Sequence, residues 1–158
     1  MRSASMTARQ TQDHQFTVTV KTVRIKKFYI YYGAPGEAEQ FLKKGRDIYY
    51  NSAGSPFVDL RHKIPDEAIR TRPDKREWKC FLAAARSFST YWGKEYFNHR
   101  VDDGIQWEIR IITGDFTFKS HGSNAFPDDF EDFLNAVREF TGVKDFAGNF
   151  VSKLFMFD

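Results

Sequence analysis

The sequence predicts an α+β domain: an antiparallel sheet of about five strands packed against two longer helices and one short helix. Three observations carry this. Segments alternating apolar and polar residues stand beside segments in which apolar residues recur at helical spacing. The chain has 158 residues, the size of one ordinary domain. Its 17 Phe, 7 Tyr and 3 Trp supply a core from few side chains, because each buries roughly 150–250 Å². Residues 1–14 are small and polar, lack the apolar run of a signal peptide, and read as a flexible tail; residues 15–158 read as the domain.

The elements follow in order. Phe16, Val18 and Val20 alternate with Thr17, Thr19 and Lys21, the period of a half-buried strand. The pattern resumes at Val23 and Ile25 and changes phase to Phe28, Ile30 and Tyr32, so a bulge or a bend is expected at Lys26-Lys27. Pro35 reads as the opening of a short helix with Ala38, Phe41 and Leu42 inward and Gly45 as its stop. Asp47 to Tyr50 and Phe57 to Leu60 read as short strands, and 61–73 as irregular. Asp74 and Glu77 have the spacing of a capping box, ahead of the stripe Trp78, Phe81, Leu82, Ala85, Phe88 and Trp92. Asp102-Asp103-Gly104 is turn chemistry. Ile105, Trp107, Ile109 and Ile111 then alternate with Gln106, Glu108 and Arg110, and Thr113-Gly114-Asp115 turns the chain into Phe116, Phe118 and Ser120. After a loop at residues 121–124, Pro127 leads into a helix with Asp128, Asp129 and Glu131 near its start and Phe130, Phe133, Leu134 and Val137 inward. Gly142-Val143 is its glycine stop, and residues 150–157 read as a closing strand.

Composition narrows function. Cys80 is the single cysteine, which excludes an intramolecular disulfide and fits a cytoplasmic location. No apolar run approaches the ~20 residues of a membrane-spanning helix. The charge is uneven: residues 1–79 hold 16 Lys and Arg against 9 Asp and Glu, and residues 80–158 hold 8 against 12. The basic half points to an acidic partner.

No motif dictates a reaction. His14, His62, His99 and His121 lack ligand spacing, so no metal or other cofactor and no catalytic residue is expected. Cys80, flanked by the helix stripe, reads as a buried structural thiol. No Gly-x-Ser-x-Gly elbow or phosphate-cradling loop is present. A metal-dependent nuclease or hydrolase would need acids and a lysine beside a strand, and Glu108-Ile109-Arg110 is the one approach to that pattern.

Two binding candidates remain. In the first, Lys21, Arg24, Lys26 and Lys27 interleave with Tyr29 and Tyr31, cations for phosphates beside rings for stacking. The competing reading is an edge strand guarded by lysines. Arg70, Arg72, Lys75 and Arg76, in the charged segment that follows, join this candidate surface. The second is the loop of His121, Ser123 and Asn124 between a strand and a helix, where recognition often sits; the alternative is a tight connection.

Residues 103–140 carry a resemblance. Asp103-Gly104-Ile105-Gln106-Trp107, a hairpin, then Gly122-Ser123-Asn124-Ala125-Phe126-Pro127 with Phe130 and Phe133 resembles a pattern in small uncharacterised proteins of bacteria and their mobile elements. There a Trp-bearing strand precedes a Gly-x-Asn-Ala-Tyr/Phe-Pro loop and an amphipathic helix. The resemblance implies a hairpin-plus-helix unit and no activity. Short mobile-element proteins include inhibitors of host defence such as anti-CRISPR proteins, an association of size and type. The leading expectation is a non-catalytic binding protein that occludes a macromolecular partner, protein rather than nucleic acid, such as a nucleic-acid-handling defence complex. The alternative is direct nucleic-acid binding by the basic aromatic strand.

Overall fold

The computed structural model describes residues 24–52, 58–101, 104–148 and 150. The expected tail, the strand at 16–20, Lys21, Asp102-Asp103 and all but the first residue of the expected closing strand lie outside them, and that first residue, Phe150, is helical rather than extended. Among the described residues the chain forms seven strands and two helices. They are β1 (Ile25–Gly33), β2 (Glu39–Lys44), β3 (Asp47–Asn51), β4 (Ile69–Thr71), α1 (Lys75–Ser89), β5 (Glu95–Phe97), β6 (Gln106–Thr113), β7 (Thr117–Ser123) and α2 (Phe130–Thr141). One sheet runs in the order β4-β3-β2-β1-β6-β7-β5. All neighbours are antiparallel except β5 and β7, which are parallel.

Both helices cover one face of this sheet. Phe28, on β1, meets Trp78 and Phe81 of α1 and Phe140 of α2 at ring-centroid distances of 5.7, 5.7 and 6.1 Å. Phe81 and Phe140 stack at 4.3 Å between the helices. Trp107 and Phe118, from β6 and β7, pack on Phe130 and Phe133. The α1 capping box forms: the Asp74 carboxylate accepts from Glu77 N at 2.8 Å, and Glu77 accepts from Asp74 N at 3.0 Å. Gly142 ends α2 in the left-handed region, at φ 77°.

The bulge expected at Lys26-Lys27 is present. Ile25 pairs with Thr113 and Lys27 with Ile112, leaving Lys26 as the extra residue. The expected short helix at 35–45 is a strand, β2. Its residues are ordinary helix formers, but a segment this short cannot sustain a helix by itself. Pairing with β1 and β3 satisfies its backbone on both sides. Gly45, expected to stop a helix, instead turns the β2–β3 hairpin at φ 63°. The strand expected at residues 57–60 is not formed at 58–60, and the irregular region supplies β4 instead. Residues 121–123, expected in a loop, continue β7 because β5 pairs with them. The count is therefore seven strands and two helices rather than about five strands and three helices. No helix among the described residues is long and apolar enough to cross a membrane.

Candidate functional site

The register sorts side chains onto two faces. Phe28, Ile30, Tyr32, Phe41, Ile48, Trp107, Ile109, Ile111 and Phe118 point to the helices. The alternate residues form the second face, which no helix among the described residues covers. Pairing traces one row across it: Lys119, Arg110, Tyr29, Leu42, Tyr49 and Arg70, from β7, β6, β1, β2, β3 and β4. The next row outward holds Thr117, Ile112 and Lys27, then Lys44 and Asp47. Strands lie ~4.8 Å apart, so five spacings make the first row roughly 24 Å long and four make the second roughly 19 Å.

The rows are basic. Arg72 clamps Asp47 with bonds of 2.7 and 3.2 Å, and Arg70 lies 4.0 Å from the same carboxylate. The Arg72 hydrogen bond, with the charges of Arg70 and Arg46, holds the Asp47 carboxyl below its ordinary value. Arg110 is paired to Glu108. Arg61 pairs with Asp59 at 2.8 Å and stacks over the Tyr29 ring at 4.9 Å. Lys27, Lys44, Lys119, Arg61, Arg70, Arg72 and Arg110 thus share this part of the face with three carboxylates: Asp47, Asp59 and Glu108. Arginines are held by acids. Lys27, Lys44 and Lys119 have no ion pair among the described residues.

The residues singled out in the sequence divide accordingly. Arg24 and Lys26 are exposed at the start of β1, and Lys27 is half-buried. The edge-guard reading of these lysines does not hold, because β1 is the central strand. Tyr31 is half-buried on the open face. Tyr29 is only 1% exposed, so its ring cannot stack on a ligand. Leu60 and Arg61 cover it: Leu60 N donates to Gln40 Oε1 at 2.8 Å, and Gln40 Nε2 donates to Tyr29 Oη at 3.4 Å. Burial pushes the Tyr29 hydroxyl up to about 12. Arg70 and Arg72 join the rows, while exposed Lys75 and Arg76 begin α1 beyond Pro73. Lys43, Lys44 and Arg46, in the β2–β3 hairpin, belong to the same end of the sheet. Their signal was a cluster of cations around Gly45, hidden by the helix expectation.

The second candidate splits. Asn124, at φ 56°, is buried and structural: its side chain accepts from Ile105 N at 2.8 Å and donates to Val101 O at 3.2 Å. His121 and Ser123 face the open side of β7. Gln106 Nε2 donates to Ser123 Oγ at 2.7 Å. Beside them on β5, Phe97 is 49% exposed, with the His99 ring nearly parallel at 5.9 Å and the His121 ring edge-on at 5.8 Å. Glu95 lies 3.6 Å from His121 Nε2. The short strand carrying Phe97 leaves no legible alternation in the sequence.

The helix face offers a groove of about 310 Å³ between α1 and α2, lined by Arg76, Cys80, Phe81 and Phe140 among others. Cys80 is exposed there rather than buried, because it lies off the stripe of Trp78, Phe81, Leu82 and Ala85. Among the described residues, no group of three or more His, Cys, Asp or Glu is placed to hold a metal ion. Comparison with known proteins finds no matching family model, curated protein or solved structure.

Proposed function

We propose that this chain is a binding protein that docks a polyanionic macromolecule across the two basic rows of its open sheet face and so occludes it. The observation that carries the reading is convergence: strands β7, β6, β1, β2 and β4, distant in sequence, each bring a cation to adjacent rows. Cations clustered on one face attract anionic partners and speed encounter. The ion pairs of Arg61, Arg72 and Arg110 hold those donors in place before a ligand arrives, which lowers the ordering cost of binding.

The test is anisotropy of labelled polyglutamate and a labelled thymidine oligonucleotide, titrated with the protein between about 50 and 200 mM salt. Affinity should fall steeply with salt for whichever polymer binds. Lys44→Glu with Lys119→Glu should abolish binding, whereas Lys79→Glu with Lys144→Glu, which changes net charge equally in α1 and just after α2, should retain it. Equal affinities in the two double variants would refute the reading.

A second reading, an acidic protein partner, rests on a separate observation. β4 closes one edge of the sheet, and Ile69 on it is 55% exposed. An open edge beside cations suits strand addition by an acidic protein segment. An inhibitor of a nucleic-acid-handling defence complex is a concrete version. Its test is a pull-down from nuclease-treated lysate: a stoichiometric partner lost on Ile69→Lys supports it, and retention in that variant counts against the edge.

A further inference from the structure

Resting on the polyanion reading, we infer that the ligand is single-stranded nucleic acid, its phosphates on the basic rows and a base on the Phe97 ring. The argument begins with the placement of Phe97. β5 pairs with β7 so that Phe97 lies opposite Ser123 and Glu95 opposite His121. Phe97 therefore stands on the same face as Lys119, which is four residues from Ser123 along β7. At ~3.4 Å per residue, the ring lies roughly 14 Å from the first cation of the rows. One face holds both a stacking surface and a phosphate track.

The ring cluster is open and aromatic on two sides. His99 backs Phe97 almost in parallel and His121 borders it edge-on. A large ring half exposed at a sheet edge leaves apolar surface in water that an incoming planar group would cover. Every nucleobase has such a face, so stacking there requires no particular base.

Charge orders the ligand. Cations occupy the rows through Lys119, Arg110, Lys27 and Lys44, whereas Glu95 and Glu108 lie towards Phe97. A phosphate is disfavoured beside these carboxylates, and a neutral base is not. Gln106 and Ser123, hydrogen-bonded to each other in the same cross-strand row as Phe97, carry donors and acceptors for a base edge. A duplex hides its base faces within the stack and offers Phe97 nothing to cover. Polyglutamate meets the cations and lacks rings. The combination of zones selects an unpaired strand.

The experiment compares the thymidine oligonucleotide, a duplex of the same charge and polyglutamate, using the intact protein and Phe97→Ala, with folding checked by circular dichroism and melting. The oligonucleotide should bind more tightly than the other two. Phe97→Ala should weaken it about tenfold and leave polyglutamate unchanged. Phe97→Trp should restore oligonucleotide affinity, and its fluorescence should be quenched on binding. Unchanged oligonucleotide affinity in Phe97→Ala would overturn the inference, as would equal binding of duplex. Binding of polyglutamate without the oligonucleotide would overturn it and leave the polyanion reading standing. Failure of every anionic polymer to bind would remove both.

Discussion

Gly122 lies under an indole, and that contact sets a sharp expectation for Gly122→Ala. A Cβ built there would fall 2.3 Å from Trp107 Nε1, 2.5 Å from Cε2 and 2.7 Å from Cζ2. Ordinary contacts between such atoms are about 3.5–4.0 Å, so the indole must retreat by about 1 Å or more. It has nowhere to go. Trp107 is 2% exposed and is ringed by Trp92, Tyr96, Phe126 and Phe130. Its Nε1–H donates to Ala125 O at 2.9 Å, a bond that displacement would break. Overpacking costs about 1–3 kcal/mol, and the lost hydrogen bond adds about 1 kcal/mol. The sum, about 2–4 kcal/mol, lowers the melting temperature by about 5–15 °C for a chain of this size. Calorimetry measures it, with near-ultraviolet circular dichroism reporting the indole. Gly114→Ala is the control: nothing lies within 4 Å of its Cβ, and its φ is outside the left-handed region. If the two variants melted together, the close approach of Gly122 to Trp107 would not be what excludes a side chain there.

Glu39 sets a pH dependence. Burial raises its pKa above the ordinary value, against hydrogen bonds from Tyr50 Oη and Ala147 N that lower it. A raised folded pKa means the group favours folding most below its unfolded value, and this contribution is lost as pH rises through the folded value. Glu39→Gln keeps an acceptor for Ala147 N and lets Tyr50 accept, so chemical denaturation across that window should show wild type losing stability relative to the variant as pH rises; parallel curves would refute the assignment. Asp74→Ala removes the capping box and should cost about 1 kcal/mol in urea denaturation, with Asp74→Ser retaining most of it; no loss would mean the α1 start is held by packing alone.

The long elements were legible because their periods are long enough to count. Residue type alternates strictly from Ile105 to Ile111, and burial alternates over all eight residues of β6. The stripe and cap of α1 fix its face and its start. The irregularity at Lys26 was legible because a phase change in alternation requires a bulge or a bend, and the pairing of β1 with β6 makes it a bulge. β4 and β5 have three residues each, too few for a period to emerge, and exist because β3 and β7 offer them an edge. β2 was hidden by residue types that favour helix locally and yield to pairing on both sides. The candidate site was half legible for the same reason. Lys26, Lys27, Arg70 and Arg72 stand out as charges, but their meeting with Lys119 and Lys44 depends on strand order, which alternation does not encode. The covering of Tyr29 depends on Leu60 and Arg61 returning over the sheet, a tertiary event with no local signal.

The open face also carries a cost that bears on its role. Lys27 lies beyond Tyr29 on β1 and Lys44 beyond Leu42 on β2, so the register sets the two ammonium groups on neighbouring strands at the same end. Like charges so placed destabilise a sheet by a few tenths of a kcal/mol. Asp47, paired with Lys44 across β2 and β3, is already clamped by Arg72 and offsets this only in part. A central strand needs no lysine to guard an edge, so folding alone gives no reason to keep the pair. Binding does, since a phosphate or carboxylate between the two lysines turns repulsion into attraction. Lys27→Gln separates these accounts because they have opposite signs. It should raise stability by a few tenths of a kcal/mol while weakening anionic-polymer binding and flattening its salt dependence. A variant that lost stability and bound unchanged would show that Lys27 serves the sheet through the packing of its stem, and would take β1 out of the binding rows.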